Sequence, residues 1–264
     1  MSASSDRPAH DHLADDPADD LADDPAADRA DLDAMHDLRV DYRLADAEGG
    51  LDAADLAPSP LEQFRRWWAE VAGDDAAAGA PRVVEPNAVV LATADADGLP
   101  DARTVLLKDV DARGFVIYTN LRSAKAQQLA AVPHAALVLP WHAVQRQVRV
   151  RGAVEQVSRA ESAAYFATRP RGSQLGAHAS AQSRPVAGRA ELQRALDEAA
   201  ARWPEGVEVP LPDHWGGYLV RPVELELWVG RPSRLHDRLA YVSATGGPAP
   251  LDDPAAWRVE RRQP

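Results

Sequence analysis

Residues 88–119 read AVVLATADADGLPDARTVLLKDVDARGFVIYT. Ala88 to Thr93 is a short apolar run, and Asp95-Ala96-Asp97-Gly98 is a turn. Arg103 to Val110 is β-branched and apolar, Asp111-Ala112-Arg113-Gly114 turns again, and Phe115 to Thr119 is a third run. Strands this short, joined by Asp/Gly turns, are hairpins and not crossover units. Working outward, Ala135 to Leu139 and Gln145 to Val157 return to strand. In the second of these, Gln147, Arg149 and Arg151 alternate with Val148, Val150 and Gly152, the period of a strand with one buried face. Tyr218 to Val220, Val223 to Val229 and Trp257 to Val259 read as late strands.

Helices interrupt this pattern. Ser59-Pro60-Leu61-Glu62 has the form of a capping box with Pro at the first helical position. Phe64, Trp67, Trp68 and Val71 follow at helical spacing, which predicts a helix burying an aromatic stripe. Ser123 to Val132 reads as a short helix capped by Ser123, Arg159 to Thr168 as one capped by Ser158, and Arg189 to Trp203 as another. Hairpins with inserted helices predict a mainly β, α+β fold: an antiparallel barrel with peripheral helices, not a parallel doubly wound sheet.

Charge is unevenly spread along the 264 residues, which carry −12 overall. Residues 1–37 hold 12 Asp and 2 Arg in a near-repeat of Ala, Asp and Pro, too poor in large apolar side chains to offset the entropy of ordering. They are expected to be a disordered acidic tail, with residues 38–264 as one domain. Between Arg103 and Ser183 the balance reverses, with 11 Lys/Arg against 4 Asp/Glu. A cationic, hydroxyl-rich zone inside an acidic protein points to a small dianion held in a pocket, and phosphate esters are the obvious candidates.

Other classes lack support. No apolar run approaches the ~20 residues of a membrane span, and no basic-then-apolar leader opens the chain, so a cytoplasmic location is expected. The chain has no cysteine, hence no disulfide framework and no thiolate metal site. The glycine-rich dinucleotide and nucleotide-triphosphate loops, the zinc-hydrolase motif and the serine nucleophile elbow are missing. Basic residues dispersed along strands in an acidic chain argue against nucleic-acid binding.

Four clusters carry chemistry. In Arg103-Thr104-Val105-Leu106-Leu107-Lys108 the two cations point to opposite faces unless a bulge intervenes; a solvated strand edge fits the same pattern. Tyr118 to Lys125 runs from strand into a helix start, where backbone N–H groups, Ser123 and Lys125 suit an anion, although a plain helix cap explains Ser123 equally well. Tyr165 to Gln174 ends a helix in Arg169-Pro170-Arg171-Gly172-Ser173, followed by Gln182-Ser183. This is a guanidinium and hydroxyl grip for phosphate, or alternatively a basic surface loop. Last, Arg234-Leu235-His236-Asp237-Arg238 follows Trp228. Flanking cations lower the His236 pKa and keep its imidazole neutral, suited to orienting a polar substrate, and a turn is the competing reading.

The order and spacing of these clusters resemble one family throughout. RTVLLK at 103–108, YTN at 118–120, PWHAVQRQVRVRG at 140–152, YFATRPRGSQLGAHASAQS at 165–183, WGGY at 215–218 and RLHDR at 234–238 are similar to the pyridoxamine 5′-phosphate oxidases, and Arg262-Gln263-Pro264 resembles that family's ending. The resemblance covers about Leu38 to Pro264. It implies an FMN-binding split β-barrel and a homodimer with FMN in clefts at the subunit interface. The flavin set it implies is Arg103, Thr104, Val105, Leu106, Leu107, Lys108, Tyr118, Thr119, Lys125, Gln147, Gln182, Ser183, Trp228 and Arg238, with Arg103 and Lys125 on the flavin phosphate. The substrate set is Lys108, Tyr165, Arg169 and Ser173 around a phosphate. Arg234, Leu235 and His236 lie at the pyridine ring, Arg234 and His236 as the catalytic pair, and Arg39 and Tyr42 come from the N-terminal segment. The implied reaction is oxidation of pyridoxine 5′-phosphate and pyridoxamine 5′-phosphate to pyridoxal 5′-phosphate with O2 as acceptor, without a metal. Ala124 departs from the family's frequent Arg, with Arg122 close by to substitute. Another flavin-barrel oxidoreductase and a non-catalytic flavin or pyridoxal-phosphate carrier are the rival readings.

Overall fold

The computed structural model describes Leu38, Tyr42, residues 50–73 and residues 82–264. The chain divides into Met1–Val40 and Asp41–Pro264, and the architecture below belongs to the second unit. The expected acidic tail, 1–37, and Arg39 lie outside the described residues.

Among the described residues eight antiparallel strands build the fold: β1 Ala88–Ala94, β2 Pro100–Asp111, β3 Gly114–Asn120, β4 His134–Trp141, β5 Arg146–Gln156, β6 Trp215–Val229, β7 Asp237–Ser243 and β8 Trp257–Arg261. Their order is β3-β2-β1-β4-β5-β6-β7-β8, and a further pairing of β3 with β6 closes the first six into a barrel. Val89, Leu91, Leu107, Phe115, Ile117, Leu137, Leu139, Val148, Val150, Leu225 and Leu227 fill the interior.

Strand β6 makes closure possible. Its first half, Trp215 to Val220, pairs with β3, while its second half pairs with β7, and β5 lies along most of its length. The sequence reading broke this strand at Arg221-Pro222, because proline supplies no ladder donor. The structure instead sets Pro222 opposite Gly152, beside a bulge at Val223 of β6 where the register shifts between Arg151 and Gly152. A Cβ on Gly152 would sit 2.0 Å from the Arg221 carbonyl, so only glycine permits the approach. Strand β7 is not among the strands the sequence suggests, and a turn was the competing reading only for 234–238. Its Leu239, Ala240 and Tyr241 are all buried, which erases the alternation that reveals a half-buried strand.

The helices are α1 Pro60–Ala72, α2 Ala124–Ala131, α3 Arg159–Thr168, α4 Arg171–Ala179 and α5 Arg189–Arg202. Ser59 and Ser158 cap α1 and α3 as expected, accepting from the Glu62 and Glu161 amides. Helix α1 lays Phe64 and Trp67 on the barrel core, Phe64 edge-on to Phe115 at 5.2 Å. Ser123 precedes α2 but makes no cap bond; its buried hydroxyl donates to the Asn120 carbonyl at 2.7 Å. In place of the basic surface loop that was the alternative reading after Arg169 stands helix α4, and Arg171 bonds the Trp203, Pro204 and Val207 carbonyls. With α3 and α5 it covers a second small core of Phe166, Leu175, Ala199, Val209 and Trp215.

Candidate active site

A cavity of about 460 Å³ opens where β2, β3, α2, α3 and α4 meet. Thr104, Val105, Leu106, Lys108, Tyr118, Thr119, Lys125, Tyr165, Arg169, Ser173 and Gln182 all line it, joined by Asn120, Gly176, Ala177, Ser180 and Trp215. Three cations face this space and none of its lining residues is a carboxylate.

Each cation arrives by a local device. On β2, register slips between Leu107 and Asp109, so Lys108 is the residue at the bulge. Lys125, in the first turn of α2, is only 7% exposed, and its Nζ donates to Gln182 Oε1 at 3.0 Å. Thr119 Oγ1 donates to the same oxygen at 2.9 Å. An ammonium only donates, so the oxygen of Gln182 must face Lys125. Burial, reinforced by Arg103, pulls the Lys125 pKa below its ordinary value. Burial also lowers that of Arg169, whose Nη1 is buried without a hydrogen-bond partner. A buried guanidinium with an unmet donor is costly unless an anion completes it.

Aromatic stacking sets the wall behind these cations. Tyr118 stacks on Tyr165 at 4.2 Å and on Trp215 at 5.4 Å, and Arg169 lies 4.7 Å over the Trp215 ring. Gly217 lets Tyr118 settle there, since a Cβ would come within 2.7 Å of that ring and of Val157. Burial raises the Tyr118 phenol to about 12 and the Tyr165 phenol in the same direction, so both remain protonated donors at neutral pH. Trp215 was quoted in the WGGY motif without a site role; its part in the stack depends on β6 pairing with β3.

Other residues of the set lie elsewhere. Arg103 pairs with Leu91 and therefore takes the core-facing side of β2. Its guanidinium bonds Asp101, Thr93 Oγ1 and Gln128 Oε1. Leu107 is buried in the core, with its backbone bonded to Asn87. Ser183 sits beside Gln182 in an exposed turn at φ 70°.

Gln147, Trp228 and Arg238 form one cross-strand row on β5, β6 and β7. Arg234, Leu235 and His236 occupy the tight connection before β7, where Ser233 and Arg234 both have left-handed φ values of 56° and 60°. The Arg231 amide donates to His236 Nδ1 at 3.1 Å, which leaves the proton of a neutral ring on Nε2. Burial first, then Arg234, lowers the His236 pKa, the expected direction but with desolvation as its leading cause. Tyr42 packs edge-on against both Trp228 and His236. Leu235 is 70% exposed. None of this second group lines the cavity around Lys125.

Residues 77–202 match the family described as pyridoxamine 5′-phosphate oxidase, and residues 215–264 match the pyridoxine 5′-phosphate oxidase C-terminal dimerisation region. A pyridoxine/pyridoxamine 5′-phosphate oxidase of Kineococcus radiotolerans is 55% identical, over 86% of this chain and 97% of that relative. This chain belongs to the pyridoxamine 5′-phosphate oxidase family. Among solved structures, PhzG from Burkholderia lata in complex with tetrahydrophenazine-1-carboxylic acid shares the fold with a TM-score of 0.68 at 28% identity, covering 81% of this chain and 98% of that one. A pyridoxamine 5′-phosphate oxidase-related, FMN binding protein from Nostoc punctiforme shares it at 0.54 and 20% identity, over 69% of this chain and 90% of that one. Family membership makes this a member of an oxidase family, and the dimerisation region falls on β6, β7 and β8. Among the described residues no helix is long and apolar enough to cross a membrane.

Proposed function

We propose that this protein oxidises pyridoxine 5′-phosphate and pyridoxamine 5′-phosphate to pyridoxal 5′-phosphate, using FMN and O2. The observation that carries this reading is the carboxylate-free cavity with Lys108, Lys125 and Arg169 on its walls and an unmet donor on Arg169. That donor set fits phosphate dianions. When bound, FMN supplies the two-electron acceptor that O2 regenerates, and the protein supplies positioning and electrostatics. Overall, the alcohol and O2 give the aldehyde and H2O2; the amine, O2 and water give the aldehyde, H2O2 and ammonia.

In this reading Lys125, Thr119 and Gln182 hold the flavin phosphate end, and Thr104 to Leu106 lie along the flavin. Arg103 steers Gln128 and Lys125 from behind. Lys108, Tyr165, Arg169 and Ser173 take the substrate phosphate. Gln147, Trp228 and Arg238 of a second subunit face the flavin edge, while Arg234 and His236 of that subunit hold the pyridine ring, with His236 Nε2–H as a donor. Tyr42 closes over Trp228 and His236. A homodimer follows from the separation of the two groups within one chain and from the dimerisation region.

The likeness to PhzG keeps a phenazine-type substrate as the competing reading. The phosphate grip of Tyr165, Arg169 and Ser173 favours the phosphorylated vitamin. The test is anaerobic mixing of the flavin-loaded protein with pyridoxine 5′-phosphate, with unphosphorylated pyridoxine as control. Rapid bleaching of the flavin absorption by the phosphate ester alone supports the assignment. A protein that binds FMN but is bleached by neither compound would sink it.

A further inference from the structure

Two residues along the strands from the Gln147–Trp228–Arg238 row, and so on the same face, pairing sets Arg149 opposite Glu226 and Glu226 opposite Ala240. Glu226 is 3% exposed, yet it bonds three arginines. Arg238 Nη2 approaches its two carboxylate oxygens at 3.1 and 2.9 Å, Arg149 Nη2 reaches it at 2.9 Å, and Arg262 Nη1 at 3.1 Å. Glu224, two residues earlier on the same face, accepts from the same Arg149 Nη2 at 2.8 Å and from Arg262 Nη2 at 2.9 Å. Arg262 lowers the Glu224 pKa, which keeps that carboxylate charged. Beyond β8, the Gln263 carbonyl accepts from Arg238 Nη1 at 3.0 Å, and the Arg262 amide donates to the Arg238 carbonyl at 2.9 Å.

We infer that Glu226 is the positioning residue that fixes the Arg238 guanidinium for its ligand, with Arg262 as the brace that holds Glu226 in turn. The inference rests on the reading, given above, that Arg238 contacts the flavin. An arginine side chain has four rotatable bonds, and a planar fork held bidentate loses its freedom before the ligand arrives. Glu226 and Gln263 together engage the Nε, Nη1 and Nη2 atoms while leaving one Nη1–H unassigned to any protein acceptor. The pull of Glu226 therefore determines where that last donor points. The reason for a buried carboxylate among three arginines is geometric: replacing it leaves Arg238 charged but free to swing.

A double-mutant cycle on the full-length flavoprotein dimer tests this. FMN dissociation constants are measured for the wild type, E226Q, R238A and E226Q/R238A, alongside thermal unfolding of each FMN-free protein. E226Q is expected to weaken FMN roughly tenfold in the wild-type background and less than twofold once Arg238 is gone. An equal loss in both backgrounds would make Glu226 a general support of the sheet and overturn the inference. Should E226Q fail to fold, R262Q replaces it, with an expected loss of roughly threefold that vanishes beside R238A. If R238A itself leaves FMN binding unchanged, the flavin role of Arg238 is wrong and the inference falls with it. If R238A weakens FMN but neither E226Q nor R262Q does, only the positioning role is lost.

Discussion

The cavity around Lys125 and the β5–β7 face are both rich in cations, and they handle charge in opposite ways. Lys108, Lys125 and Arg169 line a space with no carboxylate on its walls, and one Arg169 nitrogen is unbonded. On the other face Arg149, Arg238 and Arg262 are each bonded to Glu224 or Glu226. The first region holds positive charge in reserve for an anion. The second pairs most of its charge internally, with Arg149 Nε the one buried donor left over there among the described residues. Under the proposed function, cations in one region would serve affinity and in the other orientation, according to whether a carboxylate stands beside them.

The largest effect expected from this contrast is complementation between the regions. Assayed with substrate well below the wild-type KM, Arg169→Ala and His236→Ala homodimers should each be nearly inactive. Refolded together, they should recover about a quarter of wild-type activity, because half of the dimers are mixed and each mixed dimer has one intact site. Absence of recovery would mean that both regions serve a site within one chain. Next in size, Arg169→Ala should raise the KM for pyridoxine 5′-phosphate about 100-fold, the value of a charge-assisted bond of about 2–3 kcal/mol. FMN affinity should stay within about twofold, and titration of both ligands checks the split.

Arg234→Ala and His236→Ala should lower turnover about 30-fold with little loss of FMN, since they orient a ring without gripping a phosphate. The imidazole is neutral because its pKa lies below the usual 6.5. Turnover should therefore fall as pH drops through that depressed value, and the acid limb should disappear in His236→Ala. Lys125→Met should weaken FMN about tenfold. Burial lowers the Lys125 pKa in the free protein and a bound phosphate raises it, so above the lowered value binding takes up a proton there. FMN affinity of the wild type should then decline as pH rises through that depressed value, a slope the methionine variant lacks. Smallest, Tyr42→Ala removes two edge-on ring contacts worth about 1 kcal/mol, and a loss of activity of about threefold is expected in steady-state assays.

Much of this site was legible in the chain because strands and helix starts announce themselves locally. The hairpins at 88–119, the α1 capping box and the Ser158 cap are all where their residues place them. Arg169, Ser173, Gln182 and Lys125 could be named in advance because the chemistry belongs to the residue types. What escaped notice depended on distant partners. Pro222 within β6 is tolerated because Gly152 lies across from it, and Trp215 joins the ring stack because β6 meets β3. Arg103 is turned toward the core by its register against Leu91, where it meets Thr93 and Gln128.

Local periodicity and residue chemistry were therefore enough to specify an antiparallel, mainly β chain with two sets of anion-suited side chains. Tertiary structure alone decided that the barrel closes through a shared strand, and that one set of cations is left open while the other is matched by glutamates. It also placed the two sets on separate surfaces of one subunit. The physical reason is that pairing register and burial are properties of segments far apart in the chain, and no short window of residues carries them.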